Sequence, residues 1–138
     1  MRILAIDPGE KHLGIAISDP TGTIANPLTV LKHISRPLDA AAIAQLALEQ
    51  DVKCIVVGQA LGDDDQSTPQ SRRAFRLAEA IRLQTSIPVE LWDETGSTQA
   101  ARNARSEMGV SLRKRRGHMD DLAATYILQT YLDAQTGR

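Results

Sequence analysis

Three acidic residues fall at positions where an α/β fold would bring their side chains together. Asp7 ends a short apolar run that begins at Ile3 and has the pattern of a strand. Glu94 lies just past a second strand candidate, 88–92, and Asp120 begins the pattern of the last helix. Because parallel strands bring their carboxyl ends to the same rim of a sheet, we predict that these three carboxylates form one cluster.

Such a cluster predicts a site for divalent cations. Converging carboxylates repel each other strongly in a partly desolvated site, and a cation relieves that repulsion. Hard oxygen ligands select Mg²⁺ or Mn²⁺. Two such ions roughly 3.5–4 Å apart can activate a water and stabilise the leaving oxygen in phosphodiester cleavage. A zinc site is not expected, because His12, His33 and His118 show no zinc-ligand spacing with Cys54.

A simpler interpretation of the first acid remains open. Asp7, Pro8 and Gly9 also form the pattern of an ordinary turn with Asp at its first position. Similarly, the run Asp63 to Asp65 could bind a cation, but a solvated polar loop accounts for it. We place that run outside the metal site.

The elements that would position these acids follow from the apolar pattern. The order βββαβαβα, with its last helix pair interrupted, predicts an α/β fold with a five-stranded mixed sheet flanked by helices. Pro27 indicates an edge or irregular position for the third strand. The strand candidates are 3–6, 13–17, 23–31, 53–58 and 88–92, and the helix candidates are 36–50, 70–84, 98–108 and 119–134.

Helix faces can be predicted from the same pattern. In the first helix candidate, the predicted inner face carries Ala42, Ile43, Leu46 and Ala47. In the last, the sheet-facing stripe is Ala124, Ile127, Leu128 and Tyr131. Asp120 lies four residues before Ala124 and is therefore predicted on the same face. Asp121 is rotated by about 100° and is predicted to cap the helix or face solvent.

Length and composition limit the class of protein. The 138 residues predict a single domain, 1–138, and the net charge is −1. No apolar stretch reaches membrane-spanning length, and Met1 leads directly into a strand pattern without signal-peptide architecture, so we expect a cytoplasmic protein that does not contact membranes. The single Cys54 lies in an apolar run and is expected to be a small buried hydrophobe.

Positive charge is concentrated locally despite the near-neutral total. The run Arg113, Lys114, Arg115 and Arg116 comes just before the helix that bears Asp120. Such runs are usually solvated, but a loop beside the predicted metal site can hold phosphates, so we predict that these four residues bind nucleic acid. The helix candidate 70–84 carries Arg72, Arg73, Arg76 and Arg82 on its outer side, which is usually a solvated face and here could lie near phosphates. His118 could touch substrate or be a plain loop histidine.

Four motifs together resemble the YqgF/RuvX family over essentially the whole chain. The first is Asp7-Pro-Gly-Glu-Lys11-His-Leu-Gly14-Ile-Ala, with Lys11 in the family's usual place. The others are Val56-Val57-Gly58 with Leu61, Asp64, Pro69 and Gln70; Trp92-Asp93-Glu94 with Ser97 and Thr98; and Arg116-Gly117-His-Met-Asp120 with Ala123, Ala124, Ile127, Leu128, Gln129, Tyr131 and Leu132. Any one of them alone would be weak.

The resemblance implies an RNase H-like fold and a nuclease activity. It carries the catalytic role to Asp7, Glu94 and Asp120, and it implies a contact between Lys11 and nucleic acid. Two departures bear on substrate contact and on loop shape. The chain has Gly58-Gln59-Ala60 where the family usually has Gly-Leu-Pro, and Thr95-Gly96 where Arg-Leu usually follows the Asp-Glu pair.

The preferred interpretation is a metal-dependent endo- or exonuclease acting on structured nucleic acid, in maturation of the 5′ end of pre-16S rRNA. The alternatives are a Holliday junction resolvase and a non-catalytic nucleic-acid-binding module. An ATPase of the actin and sugar-kinase type would need two such domains, and this chain has room for one. The sequence leaves open the choice between RNA and DNA, the cleavage polarity, the number of metal ions and whether the chain forms a homodimer.

Overall fold

The computed structural model describes residues 1–59, 67–93 and 120–135, with the backbone alone for Asp120 and Asp121. The predicted helix 98–108 therefore lies outside the described residues, as do Asp63 to Asp65, Glu94, His118 and the basic run. The described strands are β1 (Arg2–Pro8), β2 (His12–Ser18), β3 (Ala25–Lys32), β4 (Val52–Gln59) and β5 (Val89–Asp93). The described helices are α1 (Arg36–Glu49), α2 (Pro69–Arg82) and α3 (Asp120–Gln135).

The five strands form one mixed sheet in the order β3-β2-β1-β4-β5. β1, β4 and β5 are mutually parallel, whereas β2 is antiparallel to both β1 and β3. The prediction of a five-stranded mixed sheet is therefore confirmed. Because β1, β4 and β5 run the same way, their carboxyl ends share one rim of the sheet, which we call the carboxyl rim.

β3 is the edge strand that Pro27 predicted. The β2–β3 register shifts between Ile15 and Ala16, and Ala16 pairs with Pro27. β3 begins at Ala25, two residues later than predicted, because the Asp19 carboxylate organises the preceding turn. The Asp19 carboxylate accepts hydrogen bonds from the backbone N–H of Thr23 at 2.7 Å and of Ile24 at 2.8 Å. Hydrogen bonding holds the pKa of Asp19 well below its usual range. The largest contribution comes from the Ile24 backbone N–H, followed by the Thr21 hydroxyl and the Thr23 backbone N–H.

Helices cover both faces of the sheet. α1 and α2 pack on one face, where alternate residues of β1 such as Leu4 and Ile6 are buried. α3 packs on the other face, against Ile3 and Ala5 of the same strand. Because successive side chains of a strand point to opposite faces of the sheet, each strand contributes residues to two separate hydrophobic cores. In the described part of the chain, no helix is long and apolar enough to span a bilayer.

Two helix starts are fixed by side-chain caps. Ser35 caps α1 and its hydroxyl accepts from the Leu38 backbone N–H at 3.4 Å. Thr68 and Ser71 form a reciprocal capping box at the start of α2, each hydroxyl accepting from the other residue's backbone N–H. A proline in the first turn of each helix adds a pre-set φ angle without losing a helical hydrogen bond.

Candidate active site

Asp7 lies at the carboxyl rim, next to the last residue of β1. By strand alternation it shares the face of Ile3 and Ala5, which is the face covered by α3. The residue is partly exposed, unlike the fully buried residues that precede it in β1. A carboxylate that keeps access to solvent at a strand end can accept an external ligand without the desolvation cost of a core position.

Glycines occupy the same rim on both strands that flank Asp7. Asp7 pairs with Gly14 of β2. Ile6 pairs with Val57 of β4, so Asp7 and Gly58 are the next residues along their strands. Neither neighbour carries a side chain, so another element can approach the sheet backbone closely beside Asp7.

Gly58 also permits the close approach of α3. A Cβ atom added to Gly58 would lie 2.6 Å from Cδ1 of Ile127. Ile127 therefore packs directly on the backbone at the carboxyl end of β4. Four residues later, the Tyr131 hydroxyl donates a hydrogen bond to Glu90, the second residue of β5. α3 thus runs antiparallel to β4 and β5, and its first residue, Asp120, is at the end of the helix nearer the carboxyl rim.

The last strand brings its end to the same rim. Gln59 of β4 pairs with Asp93, the final residue of β5, and Glu94 follows directly. Within β5, Trp92 shares the α3 face: its ring packs edge-to-face on Tyr131 at a centroid distance of 5.4 Å, and its indole N–H donates to the Thr130 hydroxyl at 2.9 Å. These contacts fix the strand immediately before Glu94 against α3.

Of the three predicted metal ligands, the structure therefore describes Asp7 fully and Asp120 by its backbone. Among the residues that the structure describes, no group of three or more His, Cys, Asp or Glu side chains is placed to hold a metal ion. Glu94 and the Asp120 side chain lie outside that search, so the convergence of the three carboxylates stays a prediction.

The predicted nucleic-acid contacts are described only at Lys11. This residue is exposed in the turn between β1 and β2, close to Asp7 in the chain, and its carbonyl accepts from the His33 backbone N–H at 2.9 Å. Its neighbour Glu10 pairs with Arg73 of α2 at 3.4 Å. The basic residues Arg113, Lys114, Arg115 and Arg116 lie outside the described residues, so all five contacts stay predictions.

Comparison with known proteins places this chain in a family. A family model described as "RuvX: Holliday junction resolvase" matches residues 1–134. The chain belongs to the RuvX family. A protein of Syntrophus aciditrophicus named "Putative pre-16S rRNA nuclease" is 43% identical over 134 residues, covering 97% of this chain and 89% of the relative. A protein of Thermoanaerobacter pseudethanolicus with the same name is 40% identical, with 100% of each chain covered.

Solved structures show that this chain shares its fold with junction resolvases. RuvC of T. thermophilus in complex with a Holliday junction substrate matches with a TM-score of 0.66 at 17% identity, covering 99% of this chain and 96% of that one. The Holliday junction resolvase of fowlpox virus matches with a TM-score of 0.54 at 16% identity, with 99% of each chain covered. The predicted RNase H-like fold is confirmed; at such identities the likeness concerns the fold alone.

Two polar clusters of the chain were not predicted from its sequence. Asp39 of α1 is 5% exposed and accepts from the Ile34 backbone N–H at 3.0 Å and from the His33 ring. The sequence did contain a signal for this pair, because an acid in the first turn of a helix can bind a histidine that lies a few residues earlier. This pair lines a cavity of about 130 Å³ behind the β1–β2 turn, on the face opposite α3.

The second cluster joins three elements on the α3 face. The carboxylate of Glu90 in β5 accepts from the Tyr131 hydroxyl of α3 and, at 3.4 Å, from the Cys54 thiol of β4. Cys54 is buried as predicted, but it also has a polar partner. Burial first, and then the Glu90 carboxylate, raise the pKa of the thiol to about 11, which keeps it protonated and unreactive at neutral pH.

Proposed function

We propose that this chain is a metal-dependent nuclease acting on structured nucleic acid, with the 5′ end of pre-16S rRNA as its main substrate. The observation that carries the proposal is the position of Asp7. It is a partly exposed carboxylate at the carboxyl rim of a parallel strand pair, flanked by Gly14 and Gly58 on the face where α3 begins. The names of the curated relatives support the choice of substrate.

The residues at the rim fit a site for Mg²⁺ or Mn²⁺. Asp7, which is a partly exposed residue, would supply hard carboxylate oxygens. The alternation of β5, continued by one residue, would place Glu94 on the face of Glu90 and Trp92, and helical spacing would place Asp120 on the face of Ala124. When bound, the ions supply Lewis-acid stabilisation and a water of lowered pKa.

The roles of the protein groups follow from this arrangement. Asp7, Glu94 and Asp120 would hold the ions and, through them, orient the scissile phosphate at the rim. Lys11 would neutralise a neighbouring phosphate from the β1–β2 turn. The whole chain, 1–138, would act as one nuclease domain, with the Trp92–Tyr131 contact keeping the end of β5 against α3.

Junction resolution is the second candidate, and the description of the family model favours it. The two can be separated by incubating the purified protein with labelled precursor rRNA and with a labelled four-way DNA junction, each with and without Mn²⁺. We expect Mn²⁺-dependent cleavage of the rRNA precursor. Cleavage of the junction alone would favour the resolvase. No cleavage of either, together with tight binding, would favour a non-catalytic binding module.

The basic run provides a separate prediction about binding. Changing Arg113, Lys114 and Arg115 together to Gln should weaken binding of all sequences while cleavage at saturating substrate survives, because the metal ligands remain. For every phosphate that the protein no longer neutralises, the slope of log affinity against log salt should fall by roughly 0.7–0.9. Fluorescence anisotropy across a salt series measures both quantities.

The matched control removes a positively charged side chain that lies far from the carboxyl rim. Lys53 lies at the start of β4 and pairs with the exposed Asp51 at 3.1 Å, so Lys53→Gln should leave affinity and salt slope unchanged. If the triple variant behaves like Lys53→Gln, the basic run is a solvated loop and does not bind phosphates.

A further inference from the structure

A shallow groove lies between α2 and the ends of β4 and β5, on the face opposite α3. We call it the α2 groove; its lining includes Gln59, Arg72, Phe75, Arg76 and Leu91. These residues play no part in the proposed metal site. The groove has a volume of about 520 Å³ and is open to solvent.

Phe75 is the feature of the α2 groove that the fold does not explain. It is the only phenylalanine of the chain, and 52% of it is exposed. The buried side of α2 does not include it, because the buried residues of this helix are Ser71, Ala74, Leu77, Ala78 and Ile81. An exposed aromatic ring beside cations is the arrangement with which proteins stack on unpaired bases.

Two arginines bracket the ring. Arg72 and Arg76 are four residues apart on α2, so their side chains and that of Phe75 lie on one side of the helix. The Arg72 guanidinium donates to the Ser67 hydroxyl at 3.3 Å, and both residues line the groove. In the described part of the chain, the ion pairs of α2 involve Arg73 and Arg82 instead. Arg72 and Arg76 thus offer two guanidinium groups to phosphates on either side of a stacked base.

The α2 groove leads to the catalytic rim. Gln59, which lines the groove, is the last residue of β4 and pairs with Asp93, directly before Glu94. A nucleic-acid strand lying in the groove would therefore reach the ends of β4 and β5, and by crossing the rim it would reach the face of Asp7. A duplex keeps its bases stacked within the helix, whereas a single strand can turn a base onto an aromatic ring.

We infer that the α2 groove binds a single-stranded extension of the substrate, with Phe75 stacking on a base and Arg72 and Arg76 contacting the flanking phosphates. This rests on the proposed function in that it names the part of the nucleic acid held outside the metal site. Stacking of this kind tolerates any base, so the groove selects an unpaired strand and not a sequence.

The test compares two probes and three variants of the full chain. The probes are a labelled RNA hairpin with blunt ends and the same hairpin with single-stranded tails of about ten nucleotides, a length that such grooves cover. The variants are Phe75→Ala, the conservative Phe75→Tyr, and Leu83→Ala. Leu83 is an apolar residue at the end of α2 that is 87% exposed, and it controls for loss of exposed apolar surface. Affinity is measured by anisotropy in EDTA, where no cleavage occurs.

Phe75→Ala should weaken binding of the tailed hairpin by about 5- to 150-fold, the loss of one stacked base, and leave the blunt hairpin unaffected. Phe75→Tyr and Leu83→Ala should bind both probes as the wild type does. A 2-aminopurine in the tail should be quenched by the wild type and not by Phe75→Ala.

Equal affinity of wild type and Phe75→Ala for the tailed hairpin would overturn the inference. So would a wild-type dimer in sedimentation that dissociates in Phe75→Ala while tail affinity stays unchanged, because the ring would then belong to an interface between copies. Since binding is measured without metal, the outcome is independent of catalysis. If Phe75→Ala loses tail binding but the wild type cleaves nothing, the inference about the groove stands and the proposed nuclease activity is refuted. If the wild type cleaves but tail binding does not depend on Phe75, the nuclease activity stands and the inference about the groove is refuted.

Discussion

Asp7→Asn should abolish Mn²⁺-dependent cleavage while leaving the fold intact. The exchange keeps the size of the side chain at the rim and removes the charge that, in our proposal, holds the cation. We expect a loss greater than the roughly 10–100-fold that removal of an outer hydrogen-bond partner of a metal ligand costs. Single-turnover cleavage of labelled precursor rRNA measures it. Without metal, thermal stability should be equal or higher, because the repulsion among the three carboxylates is relieved.

The matched control is Asp51→Asn at the opposite end of the sheet. Asp51 is an exposed carboxylate directly before β4, and it has a φ angle of 56°, a conformation that Asn tolerates. This variant should cleave as the wild type does. Full activity in Asp7→Asn would exclude the proposed mechanism, and equal losses in both variants would point to a general effect of charge.

The second large effect distinguishes two neighbouring acids. Asp120→Asn should cost far more activity than Asp121→Asn, although the two changes are chemically identical. The buried residues of α3 include Ala124, Ile127 and Leu128, so the sheet-facing side of the helix is known. Asp120 precedes Ala124 by four residues and falls on that side, whereas Asp121 is rotated by about 100°.

Single-turnover rates of the two variants at saturating Mn²⁺ provide the measurement. Without metal, Asp120→Asn should unfold at the same temperature as Asp121→Asn or a higher one, because only the change at Asp120 relieves repulsion within the proposed carboxylate cluster. Similar losses of activity at the two positions would mean that the ligand-bearing face of α3 has been assigned incorrectly.

The periodicity of apolar residues predicted most of the strands and helices that form the carboxyl rim, because such patterns depend on residues close together in the chain. The α3 stripe from Ala124 to Tyr131 is buried as predicted. In α1 the prediction was partly wrong: Ala42 is exposed, and the buried positions are Asp39, Ala40, Ile43 and Ala47. A run of alanines fits several helical faces about equally, and the His33–Asp39 contact decides between them.

Contacts between distant parts of the chain could not be predicted in this way. The hydrogen bonds that join Cys54, Glu90 and Tyr131 depend on three elements meeting on one face of the sheet. The exposure of Phe75 is another example, because a phenylalanine next to the buried Ala74 could equally have extended the apolar face of α2. Such features follow from packing, and no pattern within one segment contains them.

In our proposal Asp7, Glu94 and Asp120 together hold the catalytic cation, and replacing Glu94 tests this claim most directly. Mn²⁺ binding to the wild type and to Glu94→Gln can be titrated by electron paramagnetic resonance in the absence of substrate. Glu94→Gln should lose more than the roughly 10–100-fold in affinity that an outer partner of a metal ligand contributes. Mn²⁺ binding by Glu94→Gln as tight as that of the wild type would contradict the claim.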